Sequence, residues 1–287
     1  MANVKKRLPT NIEGDFFVDE TCINCDTCRQ LASETFHEVD DCSAVYHQPR
    51  EPSERLQAYQ ALLACPVGSI GTVTKHKGLH AKAQESFPIE LAEGVFYNGF
   101  NSEKSFGANS YFINHLEGNW LIDSPRYLSP LVKAFEEMGG IRYIFLSHED
   151  DVADADRYAK KFNATRIIHT ADHEAMPDAE WIITGKDVVQ ANADFQLIPV
   201  PGHTDGSLAL LYHEKFLFTG DHLWWDREQE MLGMPSRLVW NAEQLLQSTR
   251  RLLDFSFEWV LPGHGARIQL SSAKMQEEVK RLIDVRS

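Results

Sequence analysis

The chain has no cysteine after residue 65, no apolar run approaching twenty residues and no excess of basic charge. Each absence excludes something. A membrane-spanning helix needs about 20 consecutive apolar residues, so no segment is expected to cross a bilayer. Lys and Arg number 28 against 42 Asp and Glu, a formal net charge of −14. Nothing would offset phosphate repulsion, so neither nucleic acid nor an anionic membrane is an expected partner. The same charge suits a basic protein partner and favours solubility. The opening MANVKKRLPT carries charge with no apolar stretch behind it, so a secretory signal is not expected. Five cysteines is an odd count, and four follow a ligand pattern. That favours a reducing, cytoplasmic compartment over a disulfide scaffold. There is no flavin or nicotinamide motif, no internal repeat and no low-complexity tract.

What is present divides near residue 80. With 287 residues, 43% hydrophobic and 24% charged, the chain is ordinary globular material for one or two domains. All five cysteines precede the division, and nine of the twelve histidines lie from His80 onward. The polar, aperiodic stretch 75–88 reads as a linker. The expected boundaries are 1–80 for a first domain, 81–93 for the linker and 94–287 for a second domain. In the second, nine short apolar runs read as strands: GVFY, SYFIN, NWLID, YIFLS, TRIIHT, FQLIPV, LALLY, KFLFTG and FEWVLPG. Segments 129–139, 152–163 and 241–255 read as helices, the first opening on Ser-Pro and closing on Gly. Strands interspersed with helices imply sheets covered by helices, an α+β or α/β fold.

The cysteines run Cys22-x-x-Cys25-x-x-Cys28, with a distant Cys65 followed by Pro66. Three thiolates at this spacing wrap one face of a cubane, and a fourth from a distant helix closes the cage. One run and one distant Cys-Pro fit a single [4Fe–4S] cluster. Zinc would call for two separated C-x-x-C pairs or added histidines. The stretch Asp19–Ile70, with DETCINCDTC, ETFHEVDDCSAVYH and ACPVGSI, resembles single-cluster bacterial ferredoxins. The resemblance implies Cys22, Cys25, Cys28 and Cys65 as ligands, with electron transfer as the usual role; a structural cluster is the alternative. Cys42 matches no ligand and reads as a free thiol.

In the histidine half, the apolar IRYIFLS ends in His148 and the acids Glu149, Asp150, Asp151 and Asp154. PVPGHTDGS places His203 after a strand, FLFTGDHL places Asp221 and WVLPGHG places His264. Each puts a metal-capable side chain at a strand end, on a glycine-supported turn. In this order the fragments resemble the metallo-β-lactamase superfamily, an αββα sandwich, over about Gly94–Ile268. The fold expected is therefore α+β, a ferredoxin-like domain followed by that sandwich. The early NWLIDS supplies Asp123, which matches a structural or supporting aspartate of that family.

One motif departs from the pattern. The family's usual run is His-x-His-x-Asp-His, and here it is His148-Glu149-Asp150-Asp151-Val152-Ala153. Carried over, metal one keeps His148, His203 and Asp221, with Asp150 in place of the second His. Metal two keeps Asp221 and His264, with Asp151 or Asp154 as substitutes if the loop is shifted. One Zn or Fe ion is expected, and a second only with that shift. Two imidazoles and one carboxylate are also the donor set of non-haem Fe(II) oxygenases. The superfamily's persulfide dioxygenases use that subset, and its flavodiiron members carry a carboxylate where Asp150 stands. More carboxylate favours iron or manganese, although zinc accepts Asp as well.

The first functional expectation is a metal-dependent hydrolase of a small-molecule substrate, with Asp150 or Asp151 taking a proton. The ferredoxin domain would then regulate or dock. The second is an iron-dependent oxidoreductase fed through the cluster by a redox protein partner. The third is a redox adaptor with a vestigial pocket. With a short tail after His264, the glutathione-binding domain of glyoxalase II is not expected. His169 reads as a strand-end residue and His222 as a neighbour of Asp221. Trp224 and Trp225 read as core, or as a wall for substrate or domain contact.

Overall fold

The computed structural model describes residues 2–287. They gather into two compact units, Met1–Leu116 with Pro125–Gly140, and Glu117–Ser124 with Ile141–Ser287.

The first unit opens with β1 (Phe16–Val18), α1 (Thr27–Leu31), β2 (Phe36–Val39), β3 (Cys42–Val45), α2 (Pro52–Ala64) and β4 (Ile70–Thr72). It continues with α3 (Lys77–Glu85), β5 (Ile89–Ala92), β6 (Val95–Tyr97), β7 (Tyr111–Ile113) and α4 (Ser129–Glu137). β1 pairs antiparallel with β4, and β2 with β3. The β2–β3 turn is Asp40-Asp41, both at positive φ (51° and 58°), the conformation a tight two-residue hairpin demands. α2 starts on Pro52 behind a Glu51/Glu54 capping box. Its Ala58, Tyr59 and Ala61 face a core with Phe16, Val18 and Phe36. β5, β6 and β7 form an antiparallel meander.

The stretch expected as a linker carries regular structure. Residues 77–85 are the helix α3, and β5 falls inside 81–93. Only Leu79 and Ala83, four apart, carry the helix onto the core of the unit. Ser86 adds an anchor by accepting from Gln60 Nε2 at 2.8 Å. Two small apolar contacts in a polar stretch leave almost no periodic signal.

The second unit contains β8 (Trp120–Ile122), β9 (Tyr143–Phe145), α5 (Ala155–Phe162), β10 (Thr165–His169), β11 (Trp181–Ile183) and β12 (Val189–Gln190). Then come β13 (Phe195–Pro199), β14 (Leu208–Tyr212), β15 (Phe216–Gly220), β16 (Trp224–Asp226), β17 (Met231–Gly233), α6 (Ala242–Arg251), β18 (Trp259–Pro262), β19 (Ile268–Gln269) and α7 (Ser272–Arg286). β8, β9, β10 and β11 are parallel neighbours in that order. A second sheet runs β12-β13-β14-β15-β18-β19, with β15 and β18 parallel. α6 and α7 cover it through Leu245, Met275, Val279 and Leu282, packed on Ile198, Ala209, Leu211 and Val260. Trp120 stacks on Phe195 at 4.4 Å between ring centroids. All nine apolar runs are strands, and the three expected helices form within four residues of their predicted ends. Asp123 follows β8, Ser147–His148 follow β9, Asp221 follows β15 and His264 follows β18, each within three residues of the strand end. Parallel neighbours thereby deliver their following loops to common ends.

Candidate metal centres

His148, His203 and Asp221 converge. His148 Nε2 lies 3.8 Å from Asp221 Oδ2, and His203 Nε2 lies 3.7 Å from the same oxygen. Asp150 Oδ2 joins them, 3.7 Å from His148 Nε2 and 3.4 Å from His203 Nε2. Donors about 2.0–2.2 Å from a tetrahedral ion stand about 3.4 Å apart; the donor atoms of His148, His203 and Asp221 lie within 4.8 Å of one another and so could hold one cation, with Asp150 beside the two imidazoles. His148 Nε2, His203 Nε2 and Asp221 Oδ1 are buried without a hydrogen-bond partner. Buried polar atoms are rarely left so, and a cation satisfies them.

The supports are specific. Ser147 Oγ donates to Asp123 Oδ2 at 3.0 Å and stands 2.9 Å from His148 Nδ1, while Ser147 N donates to Asp123 Oδ1 at 2.8 Å. With Nδ1–H donating to Ser147, Nε2 carries the lone pair a metal needs. Asp172 ties two loops together by accepting from Glu149 N, Thr204 Oγ1 and Gly206 N. A side chain on Gly206 would meet Asp172 Cγ at 2.4 Å. Burial drives the His148 imidazole below its ordinary value, against the pull of Asp221 and Asp150. Burial also opposes charge on His203, but the Asp150 and Asp221 carboxylates outweigh it and raise the group. His203 in turn holds Asp150 below the usual carboxylate range.

Asp151 is the surprise of the loop. The segment Glu149–Asp151 is a 3-10 turn that turns Asp151 inward. It is only 1% exposed, and neither carboxylate oxygen has a hydrogen-bond partner. A Cβ on Gly263 would lie 2.7 Å from Asp221 Oδ1 and 2.9 Å from Asp151 Oδ2, so both carboxylates crowd one glycine. Burial, then the neighbouring Asp221 and Asp123, push Asp151 well above the usual range. His264 Nε2 approaches Asp221 Oδ2 to 3.8 Å. Asp154, the other candidate substitute, pairs with Arg157 at 3.7 Å.

The four cysteines of the motif line one cavity with Val18, Ile23, Thr27, Ser43 and Ser69. Asn24 and Asp26 at positive φ (57° and 67°) wind the loop around it. Hydrogen-bond donors aim at the sulfurs: Ser43 N at Cys22 Sγ (3.4 Å) and Ser69 N at Cys65 Sγ (3.3 Å). Burial pushes the Cys25 thiol up to about 11 and Cys28 higher still. Thiolates here need a compensating cation, which the iron of a cluster supplies.

The other singled-out residues are structural. His169 Nε2 meets Gly185 O at 3.0 Å, and its Nδ1 accepts from Ala171 N. His222 is buried on Thr249, and burial lowers it to about 3. The ring of Trp224 lies on Gly233 and Gly265, neither of which has room for a side chain. Ser147, Asp172 and Gly263 were missed from sequence; adjacency to His148 and His264 could have flagged Ser147 and Gly263, whereas Asp172 lies 32 positions from Thr204 and carried no signal.

A family model described as the metallo-beta-lactamase superfamily matches residues 93–282. The chain belongs to this superfamily. A second model, the 4Fe-4S single cluster domain of ferredoxin I, matches residues 18–72. A ferredoxin-like region therefore precedes a metallo-β-lactamase fold, and together they indicate an iron–sulfur cluster and metal ions. Superfamily relatives include the atrochrysone carboxyl ACP thioesterase of Aspergillus fumigatus, 25% identical over 181 residues that cover 63% of this chain and 45% of that one. The hydroxyacylglutathione hydrolase of Xanthomonas euvesicatoria pv. vesicatoria is 25% identical over 152 residues, 52% of this chain and 57% of that one. The chain thus spans about half the length of these curated relatives. Among solved structures, the TMB-1 enzyme superposes with a TM-score of 0.53 at 18% identity, covering 68% of this chain and 95% of that one. The DIM-1 metallo-β-lactamase gives 0.52 at 18%, covering 69% and 96%. These likenesses establish the fold. Among the described residues no helix is long and apolar enough to cross a membrane.

Proposed function

We propose that the chain is a metal-dependent hydrolase of an activated acyl compound, a thioester first among them, with a [4Fe–4S] module that exchanges electrons with a redox protein partner. The observation that carries it is the convergence of His148, His203 and Asp221, whose buried donor atoms include three without a hydrogen-bond partner, with Asp150 beside the two imidazoles. The names of two relatives, a thioesterase and a hydroxyacylglutathione hydrolase, support the substrate class.

A divalent ion bound there supplies a water acidified toward neutral pH and a Lewis acid for the acyl carbonyl. His148, His203 and Asp221 hold it. Asp150 completes the set where the family places a second imidazole. Its side chain is 64% exposed, so it is also the carboxylate within reach of the proton that the attacking water gives up. Asp151 is buried beside Asp221 and away from solvent. We read it as the acid that would complete a second cation position with Asp221 and His264 rather than as a proton relay.

The test is metal analysis joined to turnover of a thioester panel. Asp150→Asn is expected to bind metal more weakly and to lose at least 100-fold in kcat at saturating metal. Full affinity with full turnover would refute both roles. A second reading, an iron oxidoreductase, is favoured by the carboxylate-rich donors and the cluster in one chain. It moves ahead if iron survives in Cys22→Ala protein and disappears on His203→Ala.

A further inference from the structure

The end of α2 is capped from outside the ferredoxin region. A helix leaves its last carbonyls without partners, and α2 cannot continue past Cys65 because Pro66 follows. Arg126 Nη2 donates to Leu63 O at 2.8 Å and to Cys65 O at 3.3 Å, and Asn101 N donates to Ala64 O at 3.1 Å. Arg126 is itself held by Phe100, whose carbonyl accepts from Arg126 N at 2.9 Å. Arg126 and Asn101 both lie in the stretch matched to the metallo-β-lactamase family. The same stretch closes over a second ligand. Thr27 Oγ1 donates to Gly107 O, Asn101 Nδ2 donates to Gly107 O at 2.7 Å, and Asn109 Nδ2 donates to Gln30 Oε1. A Cβ on Gly107, at φ +88°, would lie 2.7 Å from Cys25 Cβ and 3.0 Å from its sulfur.

We propose that Arg126 is a redox-tuning residue of the cluster, and that residues 98–109 form the wall that keeps solvent from its Cys25 side. The negative end of α2 abuts the ligand Cys65 and disfavours added negative charge. A guanidinium, charged at all ordinary pH, sits on that end and offsets it. Charge and solvent exposure near a cluster are the levers that set its potential. A cluster held by Cys22, Cys25, Cys28 and Cys65 would take one electron from the redox protein partner, and the charge of Arg126 would favour that reduced form.

The inference rests on a cluster being bound, so iron and sulfide content is measured first; a parent protein without about four of each would defeat that reading, not this one. The experiment is then an anaerobic redox titration of full-length parent, Arg126→Gln and Arg126→Lys proteins, read by visible absorbance and EPR. Arg126→Gln is expected to shift the potential negative by at least a tenfold change in the reduced-to-oxidised ratio, about 59 mV for one electron. Arg126→Lys, which keeps the charge, is expected to stay with the parent. Arg126→Gln with a full cluster and the parent potential overturns the proposal, as does an equal shift in both variants. If Arg126→Gln holds no cluster, Arg126→Lys decides: the parent potential supports the role of charge, and a tenfold negative shift overturns it. Gly107→Ala is expected to lose iron to a chelator severalfold faster; an unchanged rate removes the wall.

Discussion

Replacing Ser147 with alanine tests how His148 is prepared for metal. The hydroxyl is the only link between Asp123 Oδ2 and His148 Nδ1, at 3.0 and 2.9 Å. The backbone bond from Ser147 N to Asp123 Oδ1 at 2.8 Å survives the change, so the strand end keeps its place. What is lost is the acceptor for Nδ1–H on a residue 1% exposed. An orphaned buried donor costs about 1–3 kcal/mol. The metal-free protein escapes this by moving the proton to Nε2, which faces Asp150 and Asp221 at 3.7 and 3.8 Å. The metal-bound protein cannot, because Nε2 is then a ligand. The cost therefore falls on metal binding and not on folding.

Metal affinity is expected to fall 10- to 100-fold, the usual range for removing a ligand's supporting partner, or about 1.4–2.7 kcal/mol. The assay is a competition titration against a chromophoric chelator on protein whose cluster absorbance matches the parent. The urea midpoint of the metal-free protein is expected to hold. An affinity within twofold of the parent would sink the tautomer argument. So would a large fall in metal-free stability, which would make Ser147 a packing residue.

Three further outcomes follow from the same geometry. Asp151→Asn is expected to lower the bound-metal count at the histidine site by one while leaving the first ion in place, read by elemental analysis after correction for cluster iron; an unchanged count makes Asp151 a buried neutral acid. Gly263→Ala puts a methyl within 2.7 Å of Asp221 Oδ1 and 2.9 Å of Asp151 Oδ2, and is expected to weaken metal binding at least tenfold by the same titration. Burial raises Asp123 to about 7 from 3.8, and Asp151 is raised too. The folded metal-free protein thus holds protons that the unfolded chain releases above about pH 4, and this stability is full at low pH and lost as pH rises through 7. Asp123 alone is worth up to roughly 4 kcal/mol, so urea midpoints of metal-free protein should fall between pH 5 and 8. A flat profile would contradict the raised carboxylates.

The sheets were legible because their strands are buried on both faces, so LALLY and KFLFTG stand out as apolar runs. The candidate metal donors stand out because each follows such a run on a turn. The four motif cysteines stand out through their spacing. α3 was not, since Leu79 and Ala83 are its only apolar anchors. Arg126 was not, because its role is to cap carbonyls more than sixty residues earlier, and a backbone acceptor leaves no mark in the sequence. Ser147 and Asp172 were not, because a hydroxyl or carboxylate that orients a ligand looks like any polar residue after a strand.

The altered His148 motif shows where position-by-position comparison fails. Against the family run, Val152 and Ala153 stand where ligands are expected, which implies a nearly empty second site. The backbone changes that count. The 3-10 turn over Glu149–Asp151 tightens the loop, and Ala153 at φ +35° takes up the difference before α5 begins. Asp151 then reaches the interior one residue earlier than the pattern assigns, beside Asp221 and under Gly263. A carboxylate buried there next to another must be neutralised by a proton or by a cation. If by a proton, the family's second site has been lost. If by a cation, it has been rebuilt from Asp151, Asp221 and His264 on a shorter loop. The metal count of Asp151→Asn separates the two, and with them a one-ion from a two-ion chemistry.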